Sequence, residues 1–579
     1  MTTNAKLAAL AGDYWDFHLR EHPAVAQELG DRRAPRELFR ESITDYARRD
    51  AETARLLDGL RALQRAALPS DAHQQSSAGS LTGEDAFTCR LLERELQEAR
   101  EHFTFQSHLR PMMFPNGPET QAAFVIGKTG IANVADADDY VARVATLPGM
   151  FDDYRERLWA GVEAGYRLPD VVLPRMTGAA ESYLRSEVER SVWYKPLAAP
   201  PGGDSSRFDR ARSELRELIT QKVQPAYRNW IDMLREQYAK HCRSSIGMSE
   251  EPEGAAYYAF LTRHHTTTSL TPQEIHAIGR EEVTRVRAEM ETVAGRTGID
   301  GDLESLRTAL GRDASFVSKS AQELRERVEV LAKRIERRIP EFFGRLPRMT
   351  YGVESIPEAL AAQVPPAYAQ PNPANGRTSG VFWVTSLPAA CPSYLHVALT
   401  MHEAWPGHLM HIALIQEMES LPDFRRYGLS GYSAYVEGWA LYCERLGHEF
   451  GLLDDPYAHY GRLEMEMWRA VRLVVDTGIH AMNWTRPQAV ACMREHLTLP
   501  LPTIEAEVDR YIAWPGQALA YKLGEIRIHE LRERAMRELG TRFDLRAFHD
   551  RLIDCGPVTL DLLDDHLQSW IDSSRVAAA

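Results

Sequence analysis

Apolar residues recur every three or four positions along most of this chain, and alternating apolar–polar runs are scarce. That periodicity restricts the fold to a mainly α architecture. Residues 207–242 carry it most clearly, with Leu215, Leu218, Ile219, Val223, Tyr227, Trp230, Ile231, Leu234 and Tyr238 on one stripe. Pro225 predicts a kink in that helix. Thr271-Pro272-Gln273-Glu274 reads as a capping box with proline in the first turn, opening a helix that runs to about Gly295. Another helix is expected from about Ala321 to Phe343, with Leu324, Val328, Leu331, Ile335 and Ile339 facing the core. The best strand candidate is Gly380 to Thr385, after a polar loop from Gln370 to Ser379. It reads either as a plain core strand or as an edge strand able to pair with a peptide backbone.

At 579 residues the chain exceeds one simple core, so two helical lobes are expected, 1–270 and 271–579, the second carrying the chemistry. Pro69 to Gly83 and Pro196 to Ser206 read as linkers or loose loops. The net charge is −14 and no Lys/Arg run forms a basic face, which argues against a nucleic-acid partner. No stretch reaches the length of a membrane span, and the apolar patch Leu7 to Ala11 is too short for a signal segment. Six scattered cysteines, without a C-x-x-C pair, read as reduced thiols. A cytoplasmic protein is expected, with no membrane partner. The oligomeric state stays open.

The segment from Tyr394 to Glu417 is apolar and helix-like, yet it carries His402, Glu403, His408 and His411. Catalytic zinc takes about three protein ligands and an open position, and a further carboxylate serves as base. His-Glu followed shortly by His supplies such a set. The spacing departs from H-E-x-x-H: six residues would turn His408 roughly 120° away from His402 on a regular helix. Pro406 has no N–H for the His402 carbonyl and clashes with it, and Gly407 tolerates unusual backbone. A bulge or break there can swing His408 back beside His402. His411 is a second-choice ligand.

His402-Glu403-x-x-Pro406-Gly407-His408, followed by Tyr435-Val436-Glu437-Gly438-Trp439-Ala440, resembles the bacterial family known as domain of unknown function 885. Leu270 to His276, Val475 to His480 and Pro515 to Lys522 fit the same pattern. The resemblance covers most of the chain after about residue 100. It implies a helical relative of zinc peptidases whose third ligand is glutamate. The expected fold is two-lobed and helical, with a small β element beside a deep central cleft. One departure is Leu409-Met410-His411, where many relatives place a second polar residue and then Gln.

Glu437 is then the natural third ligand, on a helix that returns toward the first. Glu444, seven residues on, falls on the same face and either orients a histidine ligand or forms a structural salt bridge. Arg472, Asp476 and His480 follow four-residue steps on one helix, as a surface charge ladder or as part of the site. In the site reading, Asp476 supports a neighbour, and Arg472 or His480 stabilises the developing anion. The resemblance favours the site. Tyr521 offers an oxyanion donor, and Lys522 or Arg527 a partner for a substrate carboxylate.

The expected protein is therefore a metallopeptidase-like hydrolase with one zinc ion per chain, held by His402, His408 and Glu437. Glu403 is the general base, and the substrate is a small peptide or amide. One rival is the same centre acting on a non-peptide amide or conjugate in specialised metabolism, hinted at by Leu409-Met410-His411. Another is a metal-free helical binding protein, against which an intact Glu403 argues.

Overall fold

The structure is a computed structural model that describes residues 4–67, 83–111, 113–127, 129–198, 206–299, 302–361, 364–374, 376 and 378–576. Most of the two stretches read as linkers, 69–82 and 199–205, lies outside the described residues. The protein is mainly α, with one three-stranded sheet among the described residues. It divides into two compact units, Met1–Tyr257 with Asp509–Trp514, and Tyr258–Val508 with Pro515–Ala579. The division falls inside the helix Gly254–Thr266, ahead of residue 270.

In the first unit the stripe read from residues 207–242 is buried at all nine positions. The helical run from Asp209 to His241 holds a π-turn over Ile219–Val223, immediately before Pro225. The wider turn accommodates the hydrogen bond and the space that proline denies the preceding turn.

The second unit is built from seven helices that matter here and the sheet. Helix α1 (Pro272–Ala294) opens with the predicted capping box, Thr271 and Glu274 each bonding the other's backbone N–H. Helix α2 (Ala321–Phe342) buries Leu324, Val328, Ile335 and Ile339. The strands are β1 (Tyr351–Ser355), β2 (Ala367–Gln370) and β3 (Gly380–Val384). Next come α3 (His396–Glu403), α4 (His408–Gln416), α5 (Ser433–Arg445), α6 (Pro456–Ala481) and α7 (Ala520–Leu539).

The strand order is β1-β3-β2, with β1 parallel and β2 antiparallel to β3. The strand legible in the sequence is therefore the central one. Both edges of β3 are taken, and it cannot add a peptide. The edge that lies beside the histidine motif is β2. The sheet's inner face, with Val353, Phe382 and Val384, shares one core with Leu324, Val328, Ala398, Leu399, Leu409 and Met465. This ties the strands to α2, α3, α4 and α6, and so fixes the sheet against the motif.

Candidate metal centre

Helix α3 ends at Glu403, and α4 starts at His408, so the helix breaks where Pro406-Gly407 predicted. A Cβ at Gly407 would collide with the His402 carbonyl, so only glycine lets the chain turn this closely over the end of α3. The Trp439 indole N–H of α5 donates to the Pro406 carbonyl at 3.0 Å and pins the turn. The break brings the two imidazoles together, ring centroids 4.8 Å apart and nearly perpendicular.

Helix α5 delivers Glu437 to the same point. It can do so because α5 crosses α7 at Gly438 and Gly524, where a Cβ on either would meet the other helix's backbone. Glu437 Oε2 lies 3.6 Å from His402 Nε2 and 3.4 Å from His408 Nε2. Those separations exceed an ordinary N–H···O bond of about 2.7–3.2 Å. They match donor atoms held tetrahedrally at about 2.0–2.1 Å from one zinc ion, which stand about 3.4 Å apart. Glu437 Oε2 is buried without a hydrogen-bond partner, an orphan aimed at the point of convergence. One ligand atom each from His402, Glu403 and His408 also lie within 4.8 Å of one another. The donor set, two imidazoles and a carboxylate with a second carboxylate beside them, suits zinc.

The surrounding bonds orient these groups. His402 Nδ1 and Glu444 Oε1 are 2.8 Å apart. A carboxylate only accepts, so Nδ1 carries a proton and Nε2 is the nitrogen turned toward Glu437. Behind Glu444 stands Arg469, its guanidinium 3.5 Å from the same oxygen and also donating to the Met465 carbonyl at 3.1 Å. Glu403 Oε2 accepts the Ala369 N–H of β2 at 2.8 Å. The Glu437 side chain is 21% exposed, against 4% for His402.

The electrostatics follow from burial and these neighbours. Burial raises the Glu403 pKa, and the two histidines only partly offset it. Burial also opposes ionisation of Glu437, but the neighbouring imidazoles of His408 and His402 hold it well below the usual carboxylate range. Burial alone would lower His402; the carboxylates of Glu437 and Glu444 beside it outweigh that and raise it to about 9. A cation seated among these groups has to replace that proton.

The other predicted residues are dispersed. His411 is fully buried between Tyr435 and Trp439, with ring centroids 4.9 and 5.3 Å away, and is not among the converging atoms. Burial, then the His408 charge, lowers its pKa to about 3, so it is a neutral imidazole. Leu409, Met410 and His411 are all core residues, Leu409 packing on the sheet. The surface-ladder reading of Arg472, Asp476 and His480 fails, because all three are buried. Asp476 Oδ1 accepts the Tyr258 hydroxyl at 2.6 Å and the Gly516 N–H at 3.1 Å, and His480 packs against Tyr258. Arg472 bonds Glu507 at 3.1 Å and lies over the rings of Tyr521 and Trp468. The Tyr521 hydroxyl is 3.5 Å from Gln517 Nε2.

Lys522 is fully enclosed by carboxylates: Glu466 and Glu525 at 2.7 Å and Glu282 at 2.9 Å. Three donors meet three acceptors, which leaves none for a substrate carboxylate. Arg527 pairs with Glu530 at 3.0 Å. A second His/Glu group, Glu289, His448 and His459, has Arg462 bonded to Glu289 at 2.9 Å and Arg285 at 3.4 Å, so cationic side chains already occupy it. Sequence reasoning missed Arg469 and the Ala369 amide. Arg469 stands one turn before Arg472 on α6, but a main-chain donor leaves no trace in residue identity.

The comparisons agree with this architecture. The profile of a family described as "Bacterial protein of unknown function (DUF885)" matches residues 23–567. A protein of Colwellia psychrerythraea, provisionally described as a lipoprotein, shares the fold with a TM-score of 0.88 at 26% identity, over 98% of this chain and 99% of that one. A second, from Shewanella oneidensis, provisionally described as a lipoprotein of unknown function, has a TM-score of 0.67 at 18% identity, over 96% and 99%. No curated protein matches. No helix among the described residues is long and apolar enough to cross a membrane. With its profile match running over nearly the whole chain and its helix-break motif in place, the protein belongs to the DUF885 family.

Proposed function

We propose that the protein is a zinc-dependent hydrolase that cleaves a peptide or amide bond in a small substrate. One observation carries the reading: His402 Nε2, His408 Nε2 and the orphaned Glu437 Oε2 converge at ligand spacing beside Glu403. Zinc in that position supplies Lewis acidity, polarising the substrate carbonyl and the attacking water. The chain does the rest. Glu444 fixes the His402 tautomer, and the Ala369 amide fixes one oxygen of Glu403. The other oxygen takes a proton from water and returns it to the leaving nitrogen. The raised pKa of Glu403 makes it a stronger proton acceptor than an ordinary carboxylate. We place this chemistry in the cytoplasm, since none of the six cysteines is in a disulfide.

Elemental analysis of protein purified without chelator tests the reading. About one zinc per chain is expected, since three ligands suffice for a catalytic site. Loss of amide hydrolysis on chelation and its return with zinc complete the test. Fully active protein free of transition metal would exclude it.

A further inference from the structure

Three carboxylates, those of Glu403, Glu437 and Glu444, stand around His402 and His408, and Glu444 is wholly buried. Buried charge is costly unless it is balanced. A divalent cation seated here offsets two of the three. Apart from the two imidazoles, Arg469 is the one cationic side chain among the described residues in ion-pair contact with any of them. Its guanidinium is 3.5 Å from Glu444 Oε1, the same oxygen that accepts from His402 Nδ1. Arg469 is itself only 6% exposed. Glu444 Oε2 and Arg469 Nε are both buried without a hydrogen-bond partner, so no other donor holds Glu444 in place of Arg469. The contacts run from α6 through α5 to α3. We infer that Arg469 is a positioning residue of the metal centre: it holds the Glu444 carboxylate on His402 Nδ1, and through that bond it aims His402 Nε2.

The inference rests on the hydrolase reading for the identity of the ion, but the contact itself needs no ion. It also makes a prediction that charge alone does not. A guanidinium close to a cation repels it, so a charge acting directly on the metal gives tighter zinc binding once Arg469 is removed. Acting through Glu444 it gives the opposite. The freed carboxylate swings from Nδ1, and a contact that orients a ligand is worth about 10–100-fold in metal affinity.

Zinc affinity, measured by chelator competition, tests the inference in four proteins: wild type, Arg469→Met, Glu444→Gln and the double variant. Arg469→Met keeps an apolar stem beside Trp468 and should weaken zinc binding about tenfold. Arg469→Lys, which restores the charge, should return to within about threefold of wild type. In the Glu444→Gln background, Arg469→Met should change affinity by less than about twofold, because the path is already cut. Unchanged or tighter binding in Arg469→Met, or an equal loss in both backgrounds, overturns the inference and leaves the hydrolase. Should Arg469→Met fail to fold, Arg469→Gln, which keeps a donor for the Met465 carbonyl, takes its place with the same expectations. A wild type that takes up no zinc removes the hydrolase reading instead. The inference is then decided on metal-free protein carrying isotope-labelled histidine. The His402 Nδ1 proton resonance, assigned by its loss in Glu444→Gln, should move upfield in Arg469→Met as the bond loosens. An unmoved or downfield resonance rejects the positioning role.

Discussion

Glu437 and Glu403 are both buried carboxylates, yet their contacts assign them different work. Glu437 faces two imidazole nitrogens, whereas Glu403 is held by a backbone amide. Glu437→Ala should therefore lose zinc, while Glu403→Gln should keep it and lose about 10²–10⁴-fold in turnover. Zinc content and turnover measured on both variants check this, and the opposite pattern would mean that the roles are exchanged. Glu444→Gln should weaken zinc binding about 10–100-fold, since the amide no longer selects the His402 tautomer as strongly. Lys522 shows the limit of reading residues singly. Only Glu525 lies on its own helix; the other two partners come from α1 and α6, and nothing near Tyr521 in sequence announces those. The first unit holds a separate titrating group. Burial pushes Glu119 up to about 8, although its carboxylate accepts the Trp230 indole N–H at 3.2 Å. An unfolded Glu ionises near about 4.3. Between those values the folded chain keeps a proton that the unfolded chain has released. The associated stability is full below about pH 4 and is lost as pH rises through about 8. Glu119→Gln should flatten that slope. Urea unfolding at pH 5.5 and 8.5 measures it, and an unchanged pH difference counts against a buried, protonated Glu119.

Between α3 and α4 the decisive chemistry is local, which is why it was legible. Proline denies the helix a hydrogen bond and glycine admits a collision-free turn, and both facts reside in two adjacent residues. Replacing Pro406 and Gly407 together by alanine favours continuous helix, although the Cβ at 407 meets the His402 carbonyl. His408 should swing away, and zinc affinity should fall by at least about tenfold with every ligand still present. Isothermal titration with zinc reads the loss; unchanged affinity means that the break does not set the site. The sheet was less legible, because strand identity depends on partners. Gly380–Val384 announces itself by apolar residues, but whether it is central or edge is set by Tyr351–Ser355 and Ala367–Gln370. The second of these reads Ala-Tyr-Ala-Gln between prolines and lacks a strand signal of its own.

For the whole molecule, periodicity gave the α class, and the long chain suggested two bodies, but the return of Asp509–Trp514 to the first unit was invisible. A six-residue excursion carries no periodic mark. Asp476 illustrates the same limit: its partners Tyr258 and Gly516 lie far from it in sequence, so spacing alone left its role open. The candidate ligands all lie in the second unit, on three separate helices. An unfolded chain does not hold them together, so zinc binds the folded form and stabilises it by mass action. At a thousandfold excess over Kd the gain is about 4 kcal/mol. Chelation should therefore lower the thermal midpoint of the second unit. It should also raise hydrogen exchange in residues 396–416 and 433–445, and leave the buried helical run 209–241 unchanged. Glu403→Gln should respond to chelator as the wild type does, because it keeps every ligand, whereas Glu437→Ala should not respond. A chelator shift that survives in Glu437→Ala, or that is centred on residues 209–241, would place the metal elsewhere in the protein.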